Sequence, residues 1–224
     1  MPKPQRMVYQ TEETRQRILT QAAMHFSEYG FFDTQMKEIA TAIGMSRHTL
    51  YRYYQNKIDL GFAIIEDMIL GFSGANRTIV EALVADRSKL GLERIEQAMR
   101  SAFLAENAEK ELRFMAEFDS YFSSTRAPED FGDRLMLFIE LDVLKLFEQL
   151  FEQGQDDGSI RSDKPARLML MTVFESIYAL KLRVALRGGL LVTLKRGEAE
   201  SLSEQLLELL VSGIASQNDG KRLK

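Results

Sequence analysis

Cysteine is absent from the whole 224-residue chain, which excludes disulfides and thiolate metal sites and is compatible with a reducing compartment. Histidine occurs only at His25 and His48. Neither has a companion for a metal site or a catalytic triad, and His25, beside an apolar stripe, reads as a half-buried structural residue. Prolines stand only at 2, 4, 128 and 165, so long helices can run unbroken between them. No long hydrophobic run exists: the apolar window Leu168–Phe174 is interrupted by charge within eight residues, too soon to span a bilayer. The opening "MPKPQRMVYQTEETRQ" has no apolar stretch of the secretory kind, so a cytoplasmic protein is expected. Neither a glycine-rich phosphate loop nor a nucleophile elbow is found. The segment "GQDDGSIRSD" lacks the alternating acids and terminal glutamate of a calcium loop, and reads as a solvated interhelical turn. An enzyme is therefore not expected, and no cofactor is implied.

What the chain does contain is 45% hydrophobic and 28% charged residues, the balance of a globular protein. The net charge of −4 is unevenly spread: residues 1–60 carry eight Lys/Arg against six Asp/Glu, and the remainder twenty-one against twenty-seven. Overall acidity therefore does not exclude a polyanion partner, because the local field at the binding face decides.

Apolar residues recur at helical spacing almost throughout, and an all-α fold is expected. Ile18, Leu19, Ala22, Ala23 and Phe26 make one stripe, starting near Thr11 and ending at Gly30. Met36, Ile39, Ala40 and Ile43 mark a short second helix, ended by Gly44. Ser46 suits the N-cap of a third helix through about Tyr54. Asn56 with Asp59 resembles a capping box opening a fourth helix that runs to about residue 84. Further helices are expected at about 88–106, 109–123, 133–153, 165–187 and 198–216.

The stretch "IGMSRHTLYRYYQNK", residues 43–57, joins two of the short helices through a glycine turn, the helix-turn-helix arrangement. Leu50 and Tyr54, four apart, could anchor the second helix. Arg47, His48 and Thr49 at its N-terminal end could reach base edges. The hydroxyls of Tyr51 and Tyr53 and the ammonium of Lys57 could meet phosphates. A plain alternative stays open at this level: the tyrosines serve a core and the basic residues form a solvated face.

Over residues 12–60 the order "ETRQRILTQAAMHFSEYGFFDTQMKEIATAIGMSRHTLYRYYQNKIDL" resembles the N-terminal domain of TetR-type (TetR/AcrR) transcriptional regulators. The resemblance lies in Tyr29-Gly30-Phe31, in "EIA" and "IG" of the second helix, in "MS" and "TLY" with "YY", and in "NK". It implies a three-helix DNA-binding domain at 1–60 and a larger helical effector-binding and dimerisation domain at 61–224. It also implies a ligand-responsive repressor that binds double-stranded operator DNA as a homodimer. Lys37, Arg47, His48 and Thr49 would then read bases, Tyr51, Tyr53 and Lys57 would meet phosphates, and Ser46 would open the recognition helix. Gln35 departs from the family's usual Ser or Thr, which caps helix two and reaches a phosphate, so Asp33 or Thr34 is expected to cap instead. Tyr54 replaces the common Phe and needs a partner for its hydroxyl.

In the larger half, Met99, Phe103, Phe118, Phe122, Phe138, Phe174 and Tyr178 are candidates to line a pocket for a small apolar or amphipathic effector. Arg113, Glu117 and Glu175 could face it. Met171, Leu180, Val184, Leu206, Leu210 and Ile214 lie on final helices apolar on more than one face, which a two-fold interface would cover. Two alternatives from other classes are an effector-independent architectural DNA-binding protein and a helical module that has lost operator binding.

Overall fold

The computed structural model describes residues 5–104, 109–122, 129–131, 133–134, 142–191 and 198–216, with side chains from residue 12 onward. Among them are nine α-helices: α1 Gln5–Tyr29, α2 Met36–Ala42, α3 Arg47–Tyr51, α4 Lys57–Ala85, α5 Gly91–Phe103, α6 Glu109–Phe122, α7 Asp142–Asp156, α8 Ala166–Arg187 and α9 Glu198–Ile214. The only pairing of strand type among the described residues is one isolated antiparallel bridge, Ile160 with Ala215. The all-α expectation holds. The expected helix at 133–153 is seen from Asp142, and Leu135, Phe138 and Leu141 lie outside the described residues.

Contacts divide the chain into two compact units, Met1–Leu70 with Ala108–Arg134, and Gly71–Asn107 with Leu135–Lys224. This partition follows packing, and it groups Ala108–Arg134 with the N-terminal residues. In the first unit, Ile18, Ala22 and Phe26 of α1 are buried with Ile39 of α2, Leu50 of α3 and Leu60 and Phe62 of α4. On α1 the spacing of four is that of one helix face turned to a core. Aromatic rings from α6 complete it: Phe114 stacks on Phe26 with centroids 5.4 Å apart, and Phe118 meets Phe31 and Phe62 edge-on, each at 5.1 Å.

Tyr54 is buried in this unit, and among the described residues its hydroxyl makes no hydrogen bond of ordinary geometry, with Arg15 nearby but poorly placed. Burial pushes its pKa up, against a smaller downward pull from Arg15. An unpaired buried hydroxyl costs free energy that a phenylalanine would not. Tyr54→Phe is therefore expected to raise stability by about 1 kcal/mol, or about 2–4 °C in Tm. A lowered Tm would show that the hydroxyl has a partner in solution.

The second unit packs α5 against α7, α7 against α8, and α9 against both α8 and α5. Ile95, Ala98, Met99 and Phe103 form the buried stripe of α5, facing Phe147 and Phe151 of α7 and Val173, Phe174 and Ile177 of α8. The turn after α7, expected to be merely solvated, also holds α5 in place. The Asp157 carboxylate accepts the Gly91 N–H at 2.7 Å, and the Ser159 hydroxyl accepts that of Leu92 at 3.0 Å. These satisfy amide donors that a helix N-terminus leaves without partners. Beneath them lies Arg94, fully buried, which donates to the Leu83 carbonyl and to the Gln153 side chain and sits 3.8 Å from Asp157.

Candidate nucleic-acid interface

The reading head is built from two helix ends. Gly44 follows α2 with φ +66°, a left-handed backbone that a side chain at this position would strain. The Met45 N–H donates to the Ala40 carbonyl and the Gly44 N–H to that of Thr41, the Schellman closure that stops a helix sharply. Two residues later Ser46 caps α3: its Oγ accepts the Thr49 N–H at 3.1 Å and lies 2.8 Å from the Thr49 hydroxyl. The α-helix itself covers only Arg47–Tyr51, but backbone bonds from Arg52, Tyr53 and Tyr54 carry the turn on to residue 54.

Leu50, with no exposed surface, and buried Tyr54 fix one face of α3 inward. Ser46, Arg47, His48, Tyr51 and Arg52 are exposed, and Thr49 and Tyr53 half-exposed. The tyrosines thus divide: Tyr54 serves the core, while Tyr51 and Tyr53 reach solvent. The Arg47 guanidinium lies 5.9 Å from the centre of the Tyr51 ring, close enough for a cation–π contact that restrains it over the helix end. Lys37 on α2 is exposed. Arg52, given no role from the sequence, is an additional exposed cation on α3; its position in the basic stretch was the available signal.

Gln35 is itself the N-cap of α2, in extended conformation and exposed, but its side chain makes no capping bond. The Glu38 carboxylate instead accepts the Gln35 N–H at 2.7 Å. The expectation that Asp33 or Thr34 caps α2 is corrected: Thr34 is buried and its hydroxyl donates backwards to the Gly30 carbonyl at 2.7 Å. The Gln35 side chain lies at the exposed edge of α2.

At the start of α4, Asn56 Oδ1 accepts the Asp59 N–H at 2.8 Å, and Asp59 reaches back to the Gln55 N–H at 3.1 Å. Lys57 opens this helix, and its ammonium is not free. It donates to the Phe31 and Phe32 carbonyls at 2.6 and 2.9 Å and lies 4.8 Å from the centre of the Phe31 ring. Burial lowers its pKa, against the smaller opposing pull of Asp33 and Glu38. An ammonium has three N–H donors, so one remains for a phosphate.

The candidates for an effector pocket fall in both units. Phe118 and Phe122 belong to the first unit, ringed by Phe31, Phe62 and Phe131. Met99, Phe103 and Phe174 are buried in the second, with Phe103 and Phe174 edge-on at 4.7 Å and Tyr178 half-exposed. Phe138 lies outside the described residues. Glu117 was placed as a pocket-facing group; it instead accepts the Phe31 N–H at 2.7 Å and pairs with Arg113 at 3.3 Å. Glu175 is exposed on α8. Of the interface candidates, Met171, Leu180, Val184, Leu206 and Leu210 are half-exposed, while Ile214 is buried in its own unit. Leu168 and Leu209 are more open than any of these, at 56% and 71% exposure. His25 is half-buried, with its ring 4.5 Å from that of Tyr29. No described helix is long and apolar enough to cross a membrane.

A capped recognition helix on a three-helix core, with cations and hydroxyls at its open end, defines a helix-turn-helix DNA-binding protein. Residues 18–64 match the family described as bacterial regulatory proteins, tetR family. Along nearly its full length it is similar to the HTH-type transcriptional repressor KstR2 of Mycolicibacterium smegmatis (strain ATCC 700084 / mc(2)155). That match is 24% identical over 217 residues, 94% of this chain and 95% of that protein. Solved structures share the fold. The fatty acid degradation regulator FadR from Bacillus halodurans superposes with a TM-score of 0.63 at 16% identity, covering 89% of this chain and 98% of that one. The Thermus thermophilus FadR, a repressor solved with lauroyl-CoA, gives 0.59 at 21% identity, covering 89% and 94%. The protein is a DNA-binding transcriptional regulator.

Proposed function

We propose that the protein is a ligand-responsive repressor that binds a near-palindromic operator as a homodimer, without enzymatic activity. The observation that carries this reading is the exposed, Ser46-capped end of α3, where Arg47 and His48 stand over a core fixed by Leu50. Arg47, His48, Thr49 and Lys37 read bases, with one bond of the Thr49 hydroxyl already taken by Ser46. Tyr51, Tyr53, Lys57 and Gln35 meet phosphates. Dimerisation covers the apolar surface that α8 and α9 leave open at Leu168, Leu180, Val184, Leu206, Leu209 and Leu210. In such a dimer two recognition helices stand about 34–36 Å apart, one turn of DNA.

The effector enters the second unit and releases operator through its greater affinity for the DNA-incompetent state. An apolar chain with an anionic head is the proposed class, as with the lauroyl-CoA bound by the Thermus relative. Lys181 supports this choice. Its ammonium is half-buried, donates to the Phe103 carbonyl and has no carboxylate partner among the described residues, and burial lowers its pKa. A half-buried cation without counter-charge favours an anion.

Two substitutions separate the roles on DNA. Arg47→Ala is expected to relax preference at one operator position, at a cost of about 1–3 kcal/mol if that base is guanine. Lys57→Ala should weaken binding to every sequence and lower the slope of log K against log salt by about one. Operator titrations at several salt concentrations check both. An unchanged consensus for Arg47→Ala removes its base-reading role. For the effector, lauroyl-CoA should release operator from the wild-type protein and act more weakly on Lys181→Met; no release of the wild type would count against this ligand class.

A further inference from the structure

Phe31 is held from both sides by opposite charges. It has no exposed surface, so its N–H and carbonyl must both find partners inside the protein. The N–H finds the Glu117 carboxylate of α6 at 2.7 Å, and the carbonyl finds the Lys57 ammonium of α4 at 2.6 Å. The order is carboxylate, Phe31 backbone, ammonium, with a charge-assisted bond at each end. Gly30 makes the approach possible: it has φ +86°, and a Cβ there would lie 3.1 Å from Glu117 Oε2. The Phe31 ring is held by the same helix, edge-on to Phe118 at 5.1 Å and Tyr121 at 5.4 Å. Lys57 in turn lies over that ring.

We propose that Glu117 is a positioning residue of the operator interface. From α6 it fixes the N–H of Phe31, and the carbonyl of the same residue, one peptide plane further on, is one of the two on which Lys57 rests. With two of its donors directed at Phe31 and Phe32, the ammonium presents its third in a set direction. Movement of α6 relative to this turn withdraws the support and lets Lys57 swing, at the loss of a phosphate contact. The inference rests on the reading of Lys57 as a phosphate ligand, and makes α6 a lever on that contact through a named carboxylate.

The test is a cycle of Glu117→Gln, Glu117→Ala, Lys57→Ala and the double variants, with two readouts on the full chain. The first needs no DNA. Hydrogen exchange at the Phe31 amide should quicken by about tenfold in Glu117→Ala and less in Glu117→Gln, which keeps shape and an uncharged acceptor. The second is affinity for operator selected from random DNA. Glu117→Ala should weaken it by about tenfold and lower the salt slope towards that of Lys57→Ala. Added to Lys57→Ala, it should do almost nothing further, since the two act as one. Added to Arg47→Ala, its effect should multiply in full. Unchanged exchange at Phe31, or effects of Glu117→Ala and Lys57→Ala that multiply independently, would overturn the proposal. A wild-type protein that selects no DNA would overturn the operator reading instead, and the exchange readout would still decide whether Glu117 holds the turn.

Discussion

Arg94→Leu should destabilise the second unit by about 3–5 kcal/mol, because it removes a buried guanidinium and leaves its buried acceptors without a donor. The Leu83 carbonyl and the Gln153 Oε1 each lose a donor, and Asp157 loses its nearest cation. Leucine gains apolar contact in return, but that cannot satisfy the two buried acceptors, the Leu83 carbonyl and the Gln153 side chain. In a chain of this size the loss corresponds to a fall in Tm of about 10 °C or more. The acid side of the stability profile should move as well. Burial alone would raise the Asp157 pKa, but bonds from Ser159 and Gly91 and the charge of Arg94 outweigh it and leave it lowered. A carboxyl depressed in the folded state contributes stability above its unfolded pKa, and loses it as pH falls through the folded value. Without Arg94 that pKa rises, so acid unfolding should begin at higher pH. Denaturant unfolding of Arg94→Leu between pH 3 and 7 checks both statements. A cost under about 1 kcal/mol would show that the Arg94 guanidinium is not buried in solution.

The second large effect is expected from one methyl group at the crossing of α5 and α7. A Cβ on Gly91 would lie 2.2 Å from the Gly154 Cα, which is backbone and cannot rotate away. The helices would have to separate, and the Asp157 and Ser159 caps on α5 would separate with them. Alanine gains at most about 1 kcal/mol of helix propensity over glycine, against an overpacking cost of about 3 kcal/mol or more. Overpacking wins, and Gly91→Ala should lower Tm by several degrees. Gly74 on α4 is the control, since a Cβ there meets nothing within 4 Å. Gly74→Ala should leave Tm unchanged or raise it slightly. If both substitutions act alike, the close crossing is not present in solution.

How far the sequence could be read depended on how local each feature is. Gly44, Ser46 and Asn56 perform the capping expected of them because a cap is settled within four or five residues. Leu50 and Tyr54 face inward because their spacing leaves no other face for the core. The misread features join residues far apart. Glu117 and Phe31 are 86 positions apart, Gly91 and Asp157 are 66 apart, and nothing in either local pattern announces the partner. Arg94 had a signal: it falls on the same face as Ile95, Ala98 and Met99, where a charge must be buried or break the stripe. The turn after α7 was read by composition, which reports its exposed side chains correctly. Composition is silent about the two, Asp157 and Ser159, that reach back to α5. Among the pocket candidates, aromatic content could not distinguish Phe118, which packs with Phe31 and Phe62, from Phe103, which packs with Phe174.

The central claim is that α3 of each protomer reads one half of a palindromic site. Selection of bound fragments from a random DNA pool, using the full chain, tests it most directly. The account predicts enrichment of one inverted repeat, with half-site centres about one helical turn or a small multiple of it apart, and loss of one position of that repeat with Arg47→Ala. Enrichment by base composition alone, with no repeat, would contradict it.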